Sequence, residues 1–254
     1  MPASAEVPPE VQRVTERLVE QLRTLFGPRL LGMYLFGSAT TGAYTEGVSD
    51  IDTVAVLDGD PSNEDVVALA SMHQELVGEA PEWNDRIEVD YLSAQAVAEF
   101  RSHPWPAARI SPGEPFHRVE IDRRWITDWF QVLNGGIALH GPPPETFFPP
   151  IPQYEFVEAV REQLAQWPAR ISAASHPGQL AYAVLTICRA LYACRTGEYV
   201  SKKEAASWAS VELPQFRSVI EQAVAVRYDS PIVTGKVSDR EAALELSDAV
   251  LHLL

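Results

Sequence analysis

The chain is short of cysteine, of positive charge and of long apolar runs, and each shortage excludes something. Two cysteines in 254 residues cannot build a disulfide framework, which points to an intracellular, reducing setting. No apolar run approaches the roughly 20 residues needed to span a bilayer. Met1 to Gln12 has no basic start and no apolar stretch, so nothing there reads as a signal peptide and a cytoplasmic location is expected. Lys and Arg number 20 against 35 Asp and Glu, a formal charge of -15. So acidic a chain repels a phosphate backbone, so no nucleic-acid partner is expected, and no membrane partner. It suits a cationic small molecule or a divalent metal. Six His and two Cys show no zinc spacing, and no Gly-x-Ser-x-Gly elbow occurs. What is present is an ordinary globular balance, with 46% hydrophobic and 22% charged residues. That balance excludes a disordered chain, a coiled coil and a collagen.

Hydrophobic spacing divides the chain. Val11, Val14, Leu18, Leu22, Leu25 and Phe26 recur at three- and four-residue steps, predicting a helix stopped by Gly27-Pro28. Leu30 to Phe36 reads as a buried strand, Ser49 to Leu57 as a second and Arg86 to Leu92 as a third. Ser62 with Asp65 resembles a capping box before a helix running to Glu79. Short helices are expected over Ala94 to Phe100 and Trp125 to Leu133; residues 101–124 carry no clear pattern. Between Pro142 and Pro152 six of eleven residues are proline, which reads as an extended connector. Beyond it Tyr154–Trp167, Gln179–Arg195, Lys202–Val211, Gln215–Ala225 and Ser238–Leu254 all read as helices. The expectation is an α+β protein with a mixed sheet domain over 1–141, a proline-rich linker over 142–152 and a helical domain over 153–254.

The chemistry gathers in one stretch. Tyr34-Leu35-Phe36-Gly37-Ser38 is followed, after eleven residues, by Asp50-Ile51-Asp52. Gly37 lets the chain turn tightly at the end of a strand, and Ser38 opens a short helix whose free N–H groups suit an anion. Asp50 and Asp52 lie two apart on the next strand, so both carboxylates leave one face and form a hard-oxygen site suited to Mg²⁺. Taken singly, each feature is common in proteins without function. Their joint spacing beside two strands carries the reading: an anion cradle next to a carboxylate pair fits a nucleoside triphosphate with its magnesium. Transfer chemistry also needs a proton acceptor. Glu88 and Asp90, two apart on the third strand, both qualify by geometry.

The Leu-Phe-Gly-Ser segment, its spacing and Ser49-Asp50-Ile51-Asp52 resemble the nucleotidyltransferase superfamily signature. Leu185-Thr186-Ile187-Cys188-Arg189, Thr196-Gly197, Lys202, Trp208 and Leu213-Pro214 resemble something narrower, the helical domain of the aminoglycoside 3''-adenylyltransferases. These are the streptomycin and spectinomycin resistance enzymes. Ile137 to Pro142 is similar to that family's domain join. The resemblance implies Mg²⁺-dependent transfer of AMP from ATP to a hydroxyl of a small polar acceptor, an aminoglycoside such as streptomycin or spectinomycin. By position it implies that Gly37, Ser38 and Ser49 contact the triphosphate and that Asp50 and Asp52 hold the metal. Glu88, with Asp90 as the alternative, would be the base. Arg189 and Lys202 would reach the phosphates, and Tyr228 would lie near the nucleotide.

One departure concerns the acceptor. The family grips the drug's cationic groups with acidic residues between the first two helices of its second domain. The corresponding Pro168 to Tyr182 contains no Asp or Glu, although Trp167 stands where the family has a tryptophan. Phe116, Trp105 and His117 are further candidates for an acceptor pocket. Two rival readings share the fold: a non-catalytic nucleotide-binding regulatory module, and an enzyme that adenylylates a protein side chain. Loss of an essential carboxylate would favour the first, and an open apolar groove the second.

Overall fold

The computed structural model describes residues 6–229 and 240–254. The chain forms two compact units, Met1–Ile151 and Pro152–Leu254. In the first, a six-stranded sheet runs in the order β5-β4-β3-β2-β1-β6. Its strands are β1 (Leu30–Phe36), β2 (Ile51–Leu57), β3 (Ile87–Ser93), β4 (Trp105–Ser111), β5 (Glu114–Ile121) and β6 (Ile137–His140). Only β2 and β3 are parallel. A parallel pair needs a crossover, and helix α2 (Asn63–Glu79) supplies it. The capping box forms in full: the Asp65 amide donates to Ser62 Oγ at 3.1 Å and the Ser62 amide to Asp65 Oδ2 at 2.8 Å. Arg29 donates to both Asp65 oxygens at 3.1 and 3.0 Å, tying the start of α2 to the start of β1.

Strand alternation gives the sheet two unlike faces. Met33, Leu35, Ile51, Ala55, Ile87, Val89 and Tyr91 form one, packed with α1 (Pro9–Phe26) and α2 into a continuous core. The apolar stripe of α1, Val11, Val14, Leu18, Leu22 and Phe26, is buried against it. The opposite face carries Tyr34, Phe36, Asp52, Val54, Glu88 and Asp90. Register aligns Phe36, Asp52 and Glu88 in one row and Tyr34, Val54, Asp90 and Arg109 in the next. Over the β1 end of this face Phe148 packs edge-on against Tyr34 and against Trp129 of α4 (Ile126–Gly135), with centroids 5.6 and 5.2 Å apart.

The structure departs from the sequence reading at several places. The short helix expected over 94–100 forms as α3 (Ala94–Glu99), and residues 101–124, unpatterned in sequence, contain the β4–β5 hairpin. Pro106, Pro112 and Pro115 interrupt the alternation there, and β5 is an edge strand, where proline costs least. Ile137–His140 is a strand paired with β1. The proline-rich stretch folds back on the first unit: Tyr34 Oη donates to Pro142 O at 2.9 Å, Arg101 Nη2 to Pro150 O at 3.0 Å, and Phe148 is buried. β2 starts at Ile51, which leaves Ser49 and Asp50 just before the strand.

The second unit contains α5 (Gln153–Leu164), α6 (Trp167–Ala173), α7 (Pro177–Thr196), α8 (Lys202–Glu212), α9 (Arg217–Val224) and α10 (Arg240–Leu253). The helix expected over 154–167 is cut short because Pro168 has no N–H and fits only a first turn, here that of α6. The expected start of the last helix, Ser238, lies outside the described residues. The central helix α7 buries Leu180, Val184, Leu185, Ile187, Cys188 and Leu191 and stops at Gly197, whose φ is +74°. Burial pushes the Cys188 thiol up to about 12, so it is no nucleophile at neutral pH. Among the described residues the second unit has no strand, and no helix of the chain is long and apolar enough to cross a membrane.

His73 of α2 is buried in the core, with Nε2 2.7 Å from Tyr91 Oη and Phe116 stacked 5.8 Å from its ring. Burial pushes its pKa down to about 4. Between that value and the ordinary pKa of a histidine the unfolded chain binds a proton that the folded chain refuses. The stability His73 provides is therefore full above the ordinary value and is lost as pH falls towards 4. The unfolding free energy of the wild type minus that of His73→Phe should fall by about 2–3 kcal/mol from pH 7 to pH 4.5. Urea melts of both proteins at each pH measure the difference and isolate His73 from carboxylates titrating in the same range. A flat difference would show that His73 is not held neutral.

Candidate active site

Gly37 ends β1 with φ +74° and opens a 3-10 turn through Ala39. A Cβ at Gly37 would collide with Oδ2 of Asp52, whose partner across the antiparallel β1–β2 pair is the preceding Phe36. Two constraints therefore select glycine: a left-handed backbone and the carboxylate lodged against it. Asp50, just before β2, and Asp52 on it are both half-buried and alternate with buried Ser49, Ile51 and Thr53. Ser38 sits in the turn beside them. Ser49 is buried, and its side chain shapes the approach to β2. Its Oγ accepts from the Thr45 amide at 3.0 Å, and its carbonyl accepts from Arg86 Nη2 at 2.6 Å.

Parallel pairing sets Glu88 directly beside Asp52. The two acids of β3 have different surroundings. Asp90 is 2% exposed; Arg109 Nη1 donates to its two oxygens at 3.0 and 3.1 Å, and Trp125 Nε1 donates to Oδ2 at 3.0 Å. Burial pushes its carboxyl up to about 6, with Arg109 pulling the other way. Glu88 is 17% exposed, and each of its oxygens has a donor: Arg109 Nη2 at 2.6 Å and Ser111 Oγ at 2.6 Å. Burial works against the Arg109 charge, but Asp90 and Glu88 outweigh it and hold the guanidinium above its ordinary range. Asp90 is thus a buried counter-ion, whereas Glu88 reaches the surface next to Asp52.

Arg189, Lys202 and Tyr228 belong to the second unit. Arg189 donates to Tyr199 Oη and lies 4.7 Å from that ring's centroid. Lys202 Nζ lies 3.8 Å from the ring centroid of Tyr182. Tyr182 and Arg189 are seven residues apart on α7, so they share a helix face about 10 Å apart. Tyr228 lies in a π-helical turn, with Lys203 Nζ 5.8 Å from its ring centroid. The expected pocket aromatics separate. Phe116 packs on His73 and Tyr91 in the core, whereas His117 lines a cavity of about 520 Å³ with Arg124 and Trp125. Trp105 stacks on His103 and donates to Glu99 O at 3.3 Å.

Comparison with known proteins finds a known family in each part of the chain. Residues 15–104 match the nucleotidyltransferase domain family, and residues 146–252 the aminoglycoside adenylyltransferase C-terminal domain family. The chain is 30% identical over 225 residues to an aminoglycoside (3'') (9) adenylyltransferase of Klebsiella pneumoniae, covering 84% of this chain and 81% of that one. The chain belongs to the aminoglycoside (3'') (9) adenylyltransferase family. A spectinomycin 9-adenylyltransferase of Campylobacter jejuni is 26% identical, over 83% of this chain and 81% of that one. Among solved structures, a spectinomycin adenyltransferase from Enterococcus faecialis, crystallised with ATP and spectinomycin, shares the fold. Its TM-score is 0.77 at 17% identity, over 94% of this chain and 98% of that one.

In this adenylyltransferase, sequence reasoning missed Arg109, Ser111 and Trp125. Arg109 and Ser111 are two apart, the same alternation that marked Glu88 and Asp90 on the neighbouring strand. A buried acid pair on a central strand also demands a cation on an adjacent one, and that demand could have singled out Arg109.

Gly37→Ala tests the close approach, and Gly27→Ala is its control, since Gly27 has φ +52° with nothing near its Cβ position. Both should lose about 1–3 kcal/mol to backbone strain in urea unfolding. Only Gly37→Ala should also slow adenylyl transfer, by up to about 100-fold through a displaced Asp52. Equal rates in the two variants would show that Asp52's position against Gly37 is immaterial.

Proposed function

We propose that this chain transfers AMP from ATP to a hydroxyl of an aminoglycoside-type antibiotic, with Asp52 and Glu88 at the centre of the site. The observation that carries the reading is their side-by-side placement on parallel strands, beside the tight Gly37 turn. Gly37, Ser38 and Ser49 would contact the triphosphate, with Arg189 and Lys202 adding positive charge and Tyr228 lying near the nucleotide. Asp50 and Asp52 would hold Mg²⁺. Their hard oxygens suit it, and among the described residues no three carboxylate, imidazole or thiolate groups form a ready-made cage. A two-carboxylate site leaves room for phosphate oxygens and water, as magnesium prefers. When bound, the ion would neutralise charge on the phosphates.

In this mechanism Glu88 accepts the proton of the acceptor hydroxyl, whose oxygen attacks the α-phosphorus as the bond to pyrophosphate breaks. Arg109 and Ser111 occupy one lone pair on each Glu88 oxygen, and a carboxylate has others with which to take a proton. Asp90 is too enclosed to reach a substrate. The relatives' names give an aminoglycoside and spectinomycin as acceptors, and the family resemblance adds streptomycin. Spectinomycin lacks the guanidinium groups of streptomycin and fits better a chain with no carboxylate between Pro168 and Tyr182.

The direct test is an acceptor screen with ATP and magnesium that scores pyrophosphate release with spectinomycin and with streptomycin. Turnover with spectinomycin is expected; none with either would remove the antibiotic reading. Glu88→Gln should lower kcat by about 10²–10⁴-fold while magnesium-dependent ATP binding persists in calorimetry. Asp50→Asn and Asp52→Asn should weaken that binding as well as abolish turnover. Asp90→Asn should have the smallest effect on rate. A dead Asp90→Asn beside a near-normal Glu88→Gln would reverse the assignment.

A further inference from the structure

Among the described residues, Arg109 is the one side chain that joins the two acids of β3. The ladder places it directly opposite Asp90, and its planar fork reaches both carboxylates: Nη1 to Asp90 and Nη2 to Glu88. Its contact to Glu88, at 2.6 Å, is the shortest it makes with either acid. On its outer side the guanidinium lies 5.7 Å from the ring centroid of Trp125, whose indole N–H donates to Asp90. Asp90 and Trp125 thus hold Arg109 at its end of the fork and over its face, and the other end is aimed at Glu88.

We infer that Arg109 is a positioning residue for Glu88, and that Asp90 and Trp125 hold Arg109 in place for that task. The inference rests on the reading of Glu88 as the base. A glutamate without partners samples several rotamers, which turn its carboxylate in different directions. Arg109 and Ser111 each hold one Glu88 oxygen, which fixes both the direction and the plane of the carboxylate. An arginine suits this task where a lysine would not, because its fork is rigid and can serve two acids at once. If Arg109 served only to neutralise Asp90, the close contact to the more exposed Glu88 would have no purpose. Asp90, too buried to touch a substrate, is explained by the same arrangement: it is the anchor that orients the guanidinium.

Arg109→Gln alone leaves Asp90 buried without its cation and risks misfolding. The test variant is therefore Arg109→Gln with Asp90→Asn, which removes both charges; thermal melting checks its fold. Ser111→Ala is the second variant, since it breaks one bond to Glu88 and removes no charge. In crystal structures of both variants the Glu88 side chain should leave its place or spread over several rotamers. In steady-state adenylyl transfer to spectinomycin or streptomycin, the double variant should lower kcat by about 10- to 100-fold, a part of what a base contributes. The KM for ATP should change by less than about threefold, because no group bound to the nucleotide is altered. In a Glu88→Gln background the same double change should cost less than about threefold further, because its effect passes through Glu88. Arg109→Lys, which keeps the charge and loses the fork, should fall between wild type and the double variant. Glu88 unmoved in both crystal structures, or an equal loss of rate with and without Glu88, would overturn the inference. A fully active Glu88→Gln would instead overturn the assignment of the base. An inactive Glu88→Gln beside an unimpaired double variant would reject the role of Arg109 alone.

Discussion

The parallel pairing of β2 with β3 is the constraint on which the site depends. It places Asp52 next to Glu88 and Val54 next to Asp90, so Asp52, Glu88 and Asp90 all emerge on the face away from α1 and α2. Thr53, buried between the strands, reinforces the register by donating from Oγ1 to Glu88 O at 2.9 Å. A slip of one residue would turn the acids into the core and expose Ile51 and Val89 in their place. The cost of burying carboxylates without partners makes such a slip prohibitive. The core on one face therefore enforces the chemistry on the other.

The crossover that parallel pairing requires is secured at its start. Asp65 closes the capping box of α2 and also takes both donors of Arg29, so one carboxylate fixes a helix start and its distance from β1. The turn at Gly37 is secured differently, by removing a side chain where the Asp52 carboxylate must sit. The edge hairpin then contributes what the central strands lack, a cation. Arg109 on β4 makes it possible for two acids to stand two residues apart on a buried strand. Without it, their mutual repulsion and desolvation would oppose the fold.

The helical unit handles its charges by another route. Arg189 and Lys202 rest on the rings of Tyr199 and Tyr182, contacts that favour a cation. Arg189 projects from a helix whose other faces are buried, so its position follows the packing of α7 and not local preference.

The sequence by itself determined the elements whose signal is local. The stripe of α1, the capping box of α2, the apolar run of β1, the Gly37-Ser38 turn and the alternation of Asp50 with Asp52 all follow from residues within a few positions of one another. So did the family, because Asp50-Ile51-Asp52 and Leu185 to Arg189 are contiguous segments. The β4–β5 hairpin was not legible, because prolines break its alternation and its polar faces carry no burial signal. Nor was the fate of the proline-rich stretch, which depends on Tyr34 and Phe148 meeting across more than a hundred residues. Glu88 and Asp90 look alike in sequence, two apart on one face. Only tertiary structure separated them, by burying Asp90 under Trp125 and Arg109 while leaving Glu88 open beside Asp52. A residue's period fixes which way it points; what it meets there is set by strands and helices brought in from elsewhere in the chain.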